Sequence, residues 1–359
     1  MMRPAIAYIH LDHLRYNYQV LASQADGAYM IAVVKADAYG HGLRWVAPVL
    51  WQEGCRYFAV TDAEEGMRLR DILTPQRSAN ILLLSGIFDE EDARYCVDAQ
   101  LIPALTHEQQ IAWLKAHHFA GGIWIKVNTG MHRLDADSPE KLLQCCDEAS
   151  IQVIGIMSHL ACADTPDHPL NVHQHDHFFT MYQRLLPTAQ ASLLNSAGLI
   201  SPTGKHYDYV RTGIALYGSE PVVQKKLGLK PVMQLTGKVI QIHTLNPGDA
   251  ISYGATFVAE RPMQLAIVTL GYADGLPRAL SNCGHAYCKG HYYPMVGRVC
   301  MDYCQLDCTN TPLAVGDCVE FWGGHLLADD IAMKLDTISY TLFTGVGERV
   351  HRQVVVSTQ

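Results

Sequence analysis

The chain has 359 residues, of which 49% are hydrophobic and 17% charged, and its formal net charge is -8. Because one domain takes roughly 150 residues, a chain of this length predicts two domains. The 27 lysines and arginines form no basic block, which argues against nucleic acid and anionic membranes as partners. The longest apolar runs fall far short of the ~20 residues of a transmembrane helix, and no signal-peptide core follows the first methionine. We therefore expect a cytoplasmic protein whose eleven cysteines are reduced thiols.

Short apolar, β-rich segments alternate with longer amphipathic segments over the first two-thirds of the chain. The predicted strands are 31–35, 57–61, 81–85, 102–106, 122–128, 154–159, 193–197 and 209–211, and the predicted helices include 43–53, 63–71, 108–116, 139–148 and 174–186. Strand-helix alternation predicts a parallel sheet, and eight such units predict an α/β chain with an N-terminal (β/α)8 TIM-type barrel. A doubly wound open sheet is the alternative, but no Gly-x-Gly-x-x-Gly follows these strands.

From about residue 230 the pattern changes to strand-like runs separated by turn signals. The predicted strands are 234–245, 265–269, 292–299, 304–306 and 319–321, with a short helix in 329–342. We expect a smaller, mainly β C-terminal domain. The predicted boundary near Pro231 divides the chain into domains 1–230 and 231–359.

One lysine stands at the end of the first predicted barrel strand. Residues 32–42 read Ala-Val-Val-Lys-Ala-Asp-Ala-Tyr-Gly-His-Gly, so that Lys35 follows an apolar strand and precedes glycines. An amine with a free pKa near ~10.4 becomes nucleophilic when burial favours its neutral form, which makes Lys35 a candidate Schiff-base residue. A barrel-rim lysine with its amine in water is the ordinary alternative. The segment resembles the pyridoxal 5'-phosphate lysine motif of alanine racemases, which argues against that alternative.

Other predicted strand ends also carry polar groups, and a barrel brings them to one opening. Arg133 follows the fifth strand and can address a carboxylate or phenolate oxygen, while His159 ends the sixth. Barrel phosphate sites commonly use the loops after strands 7 and 8. The hydroxyl of Ser196 and the backbone N–H groups of Gly213 and Ile214 are therefore predicted anion ligands.

Arg211, at the end of the eighth predicted strand, has the most specific meaning within the resemblance. In alanine racemases the arginine of this motif faces the pyridine nitrogen of the cofactor. An arginine stays protonated and keeps that nitrogen unprotonated, so the ring is a poorer electron sink. The resemblance thus implies racemisation without transamination.

The C-terminal region extends the resemblance. Residues 251–257 read Ile-Ser-Tyr-Gly-Ala-Thr-Phe, which places Tyr253 at the position of the family's catalytic tyrosine. Racemisation needs a base on each face of the substrate. The resemblance implies that Lys35 acts from one side and Tyr253 of a partner subunit from the other, with His159 and Arg211 as a relay that tunes the tyrosine, whose free pKa is near ~10.

Further site residues follow from the resemblance alone. Tyr272, Met301 and Asp302 are implied at the substrate entrance or as carboxylate contacts, with Met301 offering its backbone N–H. Tyr39 and Tyr340 correspond to tyrosines that contact the cofactor phosphate.

The chain also departs from the family pattern in places. Asp37, Asp135 and Thr212 replace the common Asn, Gly and Pro, but no group needed for the chemistry is lost. Lys126 matches a position that is carbamylated in many relatives, and its modification here is a hypothesis.

Two clusters resemble metal sites. Cys300, Cys304 and Cys308 recur every four residues, which we interpret as one face of a strand. His173, His175 and His177 are interpreted as a solvated helix start. We predict no metal at either cluster.

Taken together, the resemblance implies a pyridoxal-phosphate enzyme that interconverts L- and D-alanine, supplies D-alanine for peptidoglycan, and works as a homodimer with shared active sites. A serine or broader amino-acid racemase is an alternative because one hydroxyl in a pocket discriminates weakly. A non-catalytic cofactor-binding barrel protein would lack the second domain. A decarboxylase of similar layout would use a cysteine loop in place of Tyr253.

Overall fold

The computed structural model describes residues 4–74, 78–201 and 205–355. Within these ranges, eight parallel strands close into a barrel, each paired with the next along the chain and the last with the first. The barrel strands are Tyr29–Val33, Tyr57–Val60, Asn80–Leu83, Ile102–Leu105, Ile123–Lys126, Val153–Met157, Gln190–Ser192 and Tyr209–Thr212. The predicted (β/α)8 barrel is confirmed, and the open sheet is excluded.

Helices alternate with the barrel strands. They are Leu11–Gln24, Leu43–Gln52, Ala63–Ile72, Glu90–Asp98, Glu108–Ala116, Pro139–Glu148, Pro169–Leu185 and the single turn Ser196–Leu199, followed by the 3-10 helix Ile214–Tyr217. Local chemistry sets several of their starts. The carboxylates of Asp62 and Asp89 accept backbone N–H groups three residues later, as N-caps do. Pro139 and Pro169 occupy first turns, where a missing N–H leaves no helical bond unmade.

The second region is built on a sheet that also includes the start of the chain. The other strands of this sheet are Met233–Leu245, Met263–Val268, His285–Cys288, His291–Pro294, Cys304–Asp307, Cys318–Trp322 and His351–Val355. The strands Ala250–Ile251 and Phe257–Val258 pair in a separate two-stranded sheet, and the helices of this region are Ala328–Lys334 and Ser339–Thr344. The N-terminal strand Ile6–His10 lies between Met233–Leu245, antiparallel, and His351–Val355, parallel. The mainly β character is confirmed. The division into domains 1–230 and 231–359 stays a prediction, and residues 1–3 and 356–359 of these domains lie outside the described residues.

Several element predictions were wrong in their bounds. The seventh strand is Gln190–Ser192 rather than 193–197, because the side chain of Asn195 caps the following turn and ends the extended run. The helix predicted at 174 begins at Pro169, where His168 supplies the cap. The helix predicted at 329–342 is two helices, separated at Asp336, whose φ is 51°. The strand predicted at 292–299 ends at Pro294, before Gly297 turns the chain at φ 74°.

Aromatic side chains fill the end of the barrel where the strands begin. The ring of Tyr209 packs against Tyr57 and Trp124, with centroids 4.8 and 5.6 Å away. Gly155 lies against the same indole, since a Cβ there would approach the ring to 2.5 Å. The opposite end, where the strands finish, is the end at which the polar side chains gather. No helix in the described ranges is long and apolar enough to cross a membrane.

We predict that Gly155→Ala lowers the free energy of unfolding by about 1–3 kcal/mol, because the added methyl overpacks the barrel against Trp124. Gly324→Ala is the matched control, since nothing lies within 4 Å of its added Cβ. Urea denaturation of both variants measures the difference. Equal stabilities would show that the indole moves aside freely.

Candidate active site

Lys35 is held by an unusual backbone. The strand ends at Val33, and the residues after Lys35, Ala36 to Tyr39, all have φ between 51° and 56°, followed by Gly40 at 76°. Such a left-handed turn costs roughly 1–2 kcal/mol for each non-glycine residue. The strand that was predicted to end at Lys35 thus ends two residues earlier. The turn stores local backbone strain beside the lysine.

The surroundings of Lys35 favour its neutral amine. Burial is the main cause that lowers the pKa of Lys35, and the positive charge of Arg133 lowers it further, while Glu65 opposes both. Arg133 itself is exposed at the rim. An amine with a lowered pKa is a better nucleophile and base at neutral pH.

Arg211 is nearly inaccessible, with 3% of its surface exposed, and its guanidinium has several oxygen acceptors. Its guanidinium donates to the hydroxyl of Ser192 at 2.6 Å, to the carbonyl of Ser158 at 2.5 Å and to the carbonyl of Leu193 at 3.1 Å. Burial, with Arg133 as a second cause, lowers the pKa of Arg211 to about 9. The acceptors come from the ends of two adjacent strands, Val153–Met157 and Gln190–Ser192, and fix the plane of the guanidinium.

His159 lies next to Arg211, with its Nδ1 3.3 Å from a guanidinium nitrogen. Burial first, and then the surrounding cations, hold the pKa of His159 well below its usual range. These cations are Arg211, Arg133, Lys126 and Lys35. The imidazole is thus neutral at pH 7, and the mouth of the barrel is strongly positive, as a site for an anionic ligand requires.

The loops after the seventh and eighth strands meet at a close-packed point. The backbone N–H of Gly213 donates to the Ser196 hydroxyl at 2.9 Å. A Cβ at position 213 would lie 2.5 Å from the hydroxyl oxygen of Tyr39, so that only glycine leaves this space open. Ile214 begins a buried 3-10 helix directly after it. Hydroxyls and backbone amides around a gap that glycine keeps free suit a phosphate group.

The second region reaches this point through Tyr340. Its ring lies 5.7 Å from that of Tyr39, which also packs against Tyr217 at 4.9 Å. Burial is the main cause that raises the pKa of Tyr340 to about 12, and burial likewise raises that of Tyr39. Both hydroxyls therefore stay protonated and can donate to an anion.

Lys126 lies inside the mouth with 5% of its surface exposed. Its amine donates to the carbonyl of Leu84 at 3.3 Å. Burial lowers the pKa of Lys126 to about 8, although Asp135 opposes the shift. A substantial neutral fraction at pH 7 to 8 is what reaction with CO2 needs.

The predicted substrate residues of the second region share one exposed surface. Tyr253, Tyr272 and Met301 are 71%, 42% and 52% exposed. Hydrogen bonds join the segments that carry them. The backbone N–H of Tyr272 donates to the carbonyl of Cys300 at 3.0 Å, and the hydroxyl of Ser252 donates to the carbonyl of Arg298 at 2.8 Å. In the described part of the chain, no hydrogen bond or ring contact links Tyr253 to Lys35, His159 or Arg211.

Asp302 adjoins this surface and is already engaged. Its carboxylate accepts from Arg349 at 2.5 Å, and the same guanidinium contacts the buried carboxylate of Asp274 at 2.9 Å. The loop that carries Met301 is thereby tied to the chain near the last strand.

A cavity of about 110 Å³ lies at the other end of the barrel. Tyr57, Asn80, Ile102 and Gln190, which line it, are the first residues of their strands. It therefore lies away from the convergent polar groups and is not the candidate site.

The structure also locates the two clusters considered for metals. His173, His175 and His177 lie within the helix Pro169–Leu185, and only Cys304 of the three cysteines is in a strand, so the single-strand interpretation was wrong. Over the described ranges, no group of three His, Cys, Asp or Glu side chains could hold a metal ion. All eleven cysteines lie in these ranges and are free thiols.

Sequence reasoning missed several residues that shape the site. The Ser192 hydroxyl accepts from Arg211, and Glu65 binds the backbone next to Lys35. The side chains of His41 and Arg352 bind carbonyls of the left-handed turn. Glu65 follows a predicted strand by only a few residues, which is the one signal that could have drawn attention to it.

Two family models match the chain. The alanine racemase N-terminal domain matches residues 9–221, and the alanine racemase C-terminal domain matches residues 232–354. The chain belongs to the alanine racemase family. It is thus related to isomerases that act on an amino acid, and both regions are accounted for. The non-catalytic barrel protein and the decarboxylase have no support in these matches.

Individual relatives agree along nearly the whole length. The alanine racemase of Stutzerimonas stutzeri is 36% identical over 99% of this chain and 100% of its own, and the biosynthetic alanine racemase of Pseudomonas aeruginosa is 37% identical over 98% and 99%. Among solved structures, that of the biosynthetic alanine racemase from Pseudomonas aeruginosa has a TM-score of 0.90 at 34% identity, covering 99% of this chain and 100% of that one. The alanine racemase from Bartonella henselae with covalently bound pyridoxal phosphate has a TM-score of 0.89 at 33% identity, covering 98% and 99%.

We predict that Lys126 is carbamylated, because its buried amine is partly neutral at pH 7 to 8 and lies among cations that a carbamate anion would offset. In buffer with carbon-13-labelled bicarbonate, nuclear magnetic resonance should show one carbamate signal in the intact protein. The signal should vanish in Lys126→Ala and persist in Lys115→Ala, which removes an exposed lysine. A spectrum without a Lys126-dependent signal would rule the modification out.

Proposed function

We propose that this chain is a pyridoxal-phosphate-dependent alanine racemase whose active site is the mouth of the barrel. The observation that carries the proposal is the convergence of Lys35, Arg133, His159, Ser196 and Arg211 at the carboxyl ends of the barrel strands. Membership of the alanine racemase family and the bound cofactor of the Bartonella henselae relative support it.

The residues present fit the cofactor. Lys35 would attach it covalently, and the Ser196 hydroxyl, the backbone of Gly213 and Ile214, and the hydroxyls of Tyr39 and Tyr340 would bind its phosphate. The Tyr39 hydroxyl faces the gap that glycine at position 213 leaves open, and the Tyr340 ring lies beside Tyr39. Pyridoxal phosphate, when bound, withdraws electron density from the substrate Cα and makes its proton removable.

Arg211 would face the ring nitrogen of the cofactor. Its guanidinium is fixed in orientation by three oxygen acceptors, and as a protonated, donor-only group it has no lone pair that could take up a proton. Arg211 would therefore act only as a donor toward the ring nitrogen and would keep that nitrogen unprotonated. A weaker electron sink favours return of the proton to Cα over transamination.

Proton transfer at Cα would use two residues. Lys35, whose pKa burial lowers, would exchange the proton on one face, and the Tyr253 hydroxyl of a partner subunit would exchange it on the other. The neutral His159, backed by Arg211, would support the charge of that tyrosine. The observation in favour of a partner is the 71% exposure of Tyr253.

The substrate carboxylate would be bound from both sides of the subunit boundary. Arg133 at the rim supplies the positive charge, and its backbone is tied to the Asp135 carboxylate at 3.3 Å. The backbone N–H of Met301 would be a further donor, while Tyr272 and Asp302 would shape the entrance. This arrangement makes the homodimer the active unit, with alanine as its small-molecule substrate.

We further propose that the enzyme works in the cytoplasm and supplies D-alanine for peptidoglycan. One relative at 37% identity is named as the biosynthetic alanine racemase. The free thiols of all eleven cysteines suit a reducing compartment.

Mixing two inactive variants tests the shared site. We expect Lys35→Ala and Tyr253→Phe each to lose at least ~10²-fold in the racemisation of L-alanine, as loss of an acid-base group does. In a randomly mixed dimer population, half the dimers are hybrids, and each hybrid contains one intact site. Polarimetry should therefore show about one quarter of the wild-type activity after mixing by partial denaturation and refolding.

A matched control and a contrary outcome are available. Tyr292→Phe removes another exposed tyrosine, 57% accessible, and should keep full activity. Mixtures that stay inactive although the subunits exchange would show that Tyr253 serves its own chain. Full activity of Tyr253→Phe alone would remove it from the mechanism.

A further inference from the structure

The left-handed turn after Lys35 needs external support. The four non-glycine residues Ala36 to Tyr39 sit in a region that costs roughly 1–2 kcal/mol each, so other groups must hold them there. Any relaxation of this turn would move the amine of Lys35, because Lys35 is the residue immediately before the turn.

Glu65 supplies the bond nearest to the lysine. One of its carboxylate oxygens accepts from the N–H of Ala36 at 2.6 Å, and the other accepts from the N–H of Thr61 at 2.8 Å. Ala36 follows Lys35 directly, and Thr61 directly follows the neighbouring strand Tyr57–Val60. The carboxylate therefore bridges the ends of two adjacent barrel strands.

Glu65 is itself fixed in position. It lies in the first turn of the helix Ala63–Ile72, and its own N–H donates to the carboxylate of Asp62 at 3.0 Å. Charge-assisted bonds of a carboxylate to two backbone N–H groups are stronger than neutral ones.

The other side-chain bonds to the turn act farther from Lys35. Asp37 accepts from the N–H of Leu43 at 2.7 Å, His41 lies 3.0 and 2.9 Å from the carbonyls of Ala38 and Tyr39, and Arg352 donates to the carbonyl of Gly40 at 3.1 Å. They hold the distal end of the turn. The end that carries the amine is closed by the backbone bond from the N–H of Ala38 to the carbonyl of Val34 at 2.9 Å, and Glu65 adds the side-chain bond there.

We propose that Glu65 is a positioning residue that fixes the peptide after Lys35 and so aims its amine into the barrel mouth. This inference rests on the proposed role of Lys35. The charge of Glu65 is a separate effect, because it favours the protonated amine and opposes the lowering of the Lys35 pKa by burial. Position and charge therefore predict opposite results when the charge is removed.

The rate at which added pyridoxal phosphate attaches to the cofactor-free full chain distinguishes them. Glu65→Gln removes the charge, which by itself would raise the neutral fraction of Lys35 and speed attachment. A glutamine can accept only one of the two N–H bonds, so loss of positioning slows attachment. We expect Glu65→Gln to attach ~10-fold to 100-fold more slowly, which corresponds to one lost hydrogen bond to a charged group.

Two further variants sharpen the test. Glu65→Asp keeps the charge but shortens the reach, and it should also be slow. Glu64→Gln is the matched control, because Glu64 is the neighbouring carboxylate of the same helix, 72% exposed and paired only across the surface with Arg68. It should attach at the wild-type rate. Thermal melts followed by circular dichroism check that each variant is folded. If Glu65→Gln does not fold, Glu65→Asp tests the positioning role in its place.

Steady-state kinetics give a second reading. A misaligned amine should lower kcat for L-alanine with a smaller change in KM, since Glu65 touches no predicted substrate ligand. Attachment by folded Glu65→Gln as fast as or faster than wild type would overturn the positioning role and leave only a charge. A wild-type protein that does not attach the cofactor at Lys35 would instead overturn the proposed function.

Discussion

Positive charge is crowded into the mouth of the barrel, and this constraint governs the site. Lys35, Lys126, Arg133 and Arg211 all lower the pKa of His159, and the pKa values of both lysines and of Arg211 are lowered in turn. Burial of cations costs free energy unless polar or charged protein atoms replace the lost water. Arg211 is stabilised by a hydroxyl and two carbonyls, whereas the two lysines shift toward their neutral forms. An anionic cofactor and an anionic substrate would complete the charge balance.

The barrel makes this crowding possible because all eight strands point the same way. Residues that are far apart in the chain are brought together, since the strand that leads to Lys35 pairs with the strand that contains Arg211, with Ile31 opposite Arg211. The aromatic packing of Trp124, Tyr57 and Tyr209 closes the other end. The fold thus separates a packed, apolar end that stabilises the barrel from a polar end that is free to bind ligands.

Much of this could be predicted from the sequence. Apolar runs of regular spacing predicted the barrel, and the residue context of Lys35 and Tyr253 indicated the family. The left-handed turn could not be predicted, because alanine and tyrosine do not favour that backbone, and bonds from residues distant in the chain, such as Glu65 and Arg352, help to hold it. The seventh strand was misplaced because buried leucines such as Leu193 and Leu194 are equally compatible with a strand or a buried loop. The pairing of the N-terminal strand with His351–Val355 joins the two ends of the chain, which no local pattern reveals.

The central claim is that Lys35 is the covalent anchor of pyridoxal phosphate in the barrel mouth. Its most direct test is reduction of the purified holoenzyme with borohydride, followed by peptide mapping of the cofactor label. We expect the visible absorbance band to disappear and the label to be found on Lys35. A label on another lysine, or no label although the cofactor is bound, would contradict it.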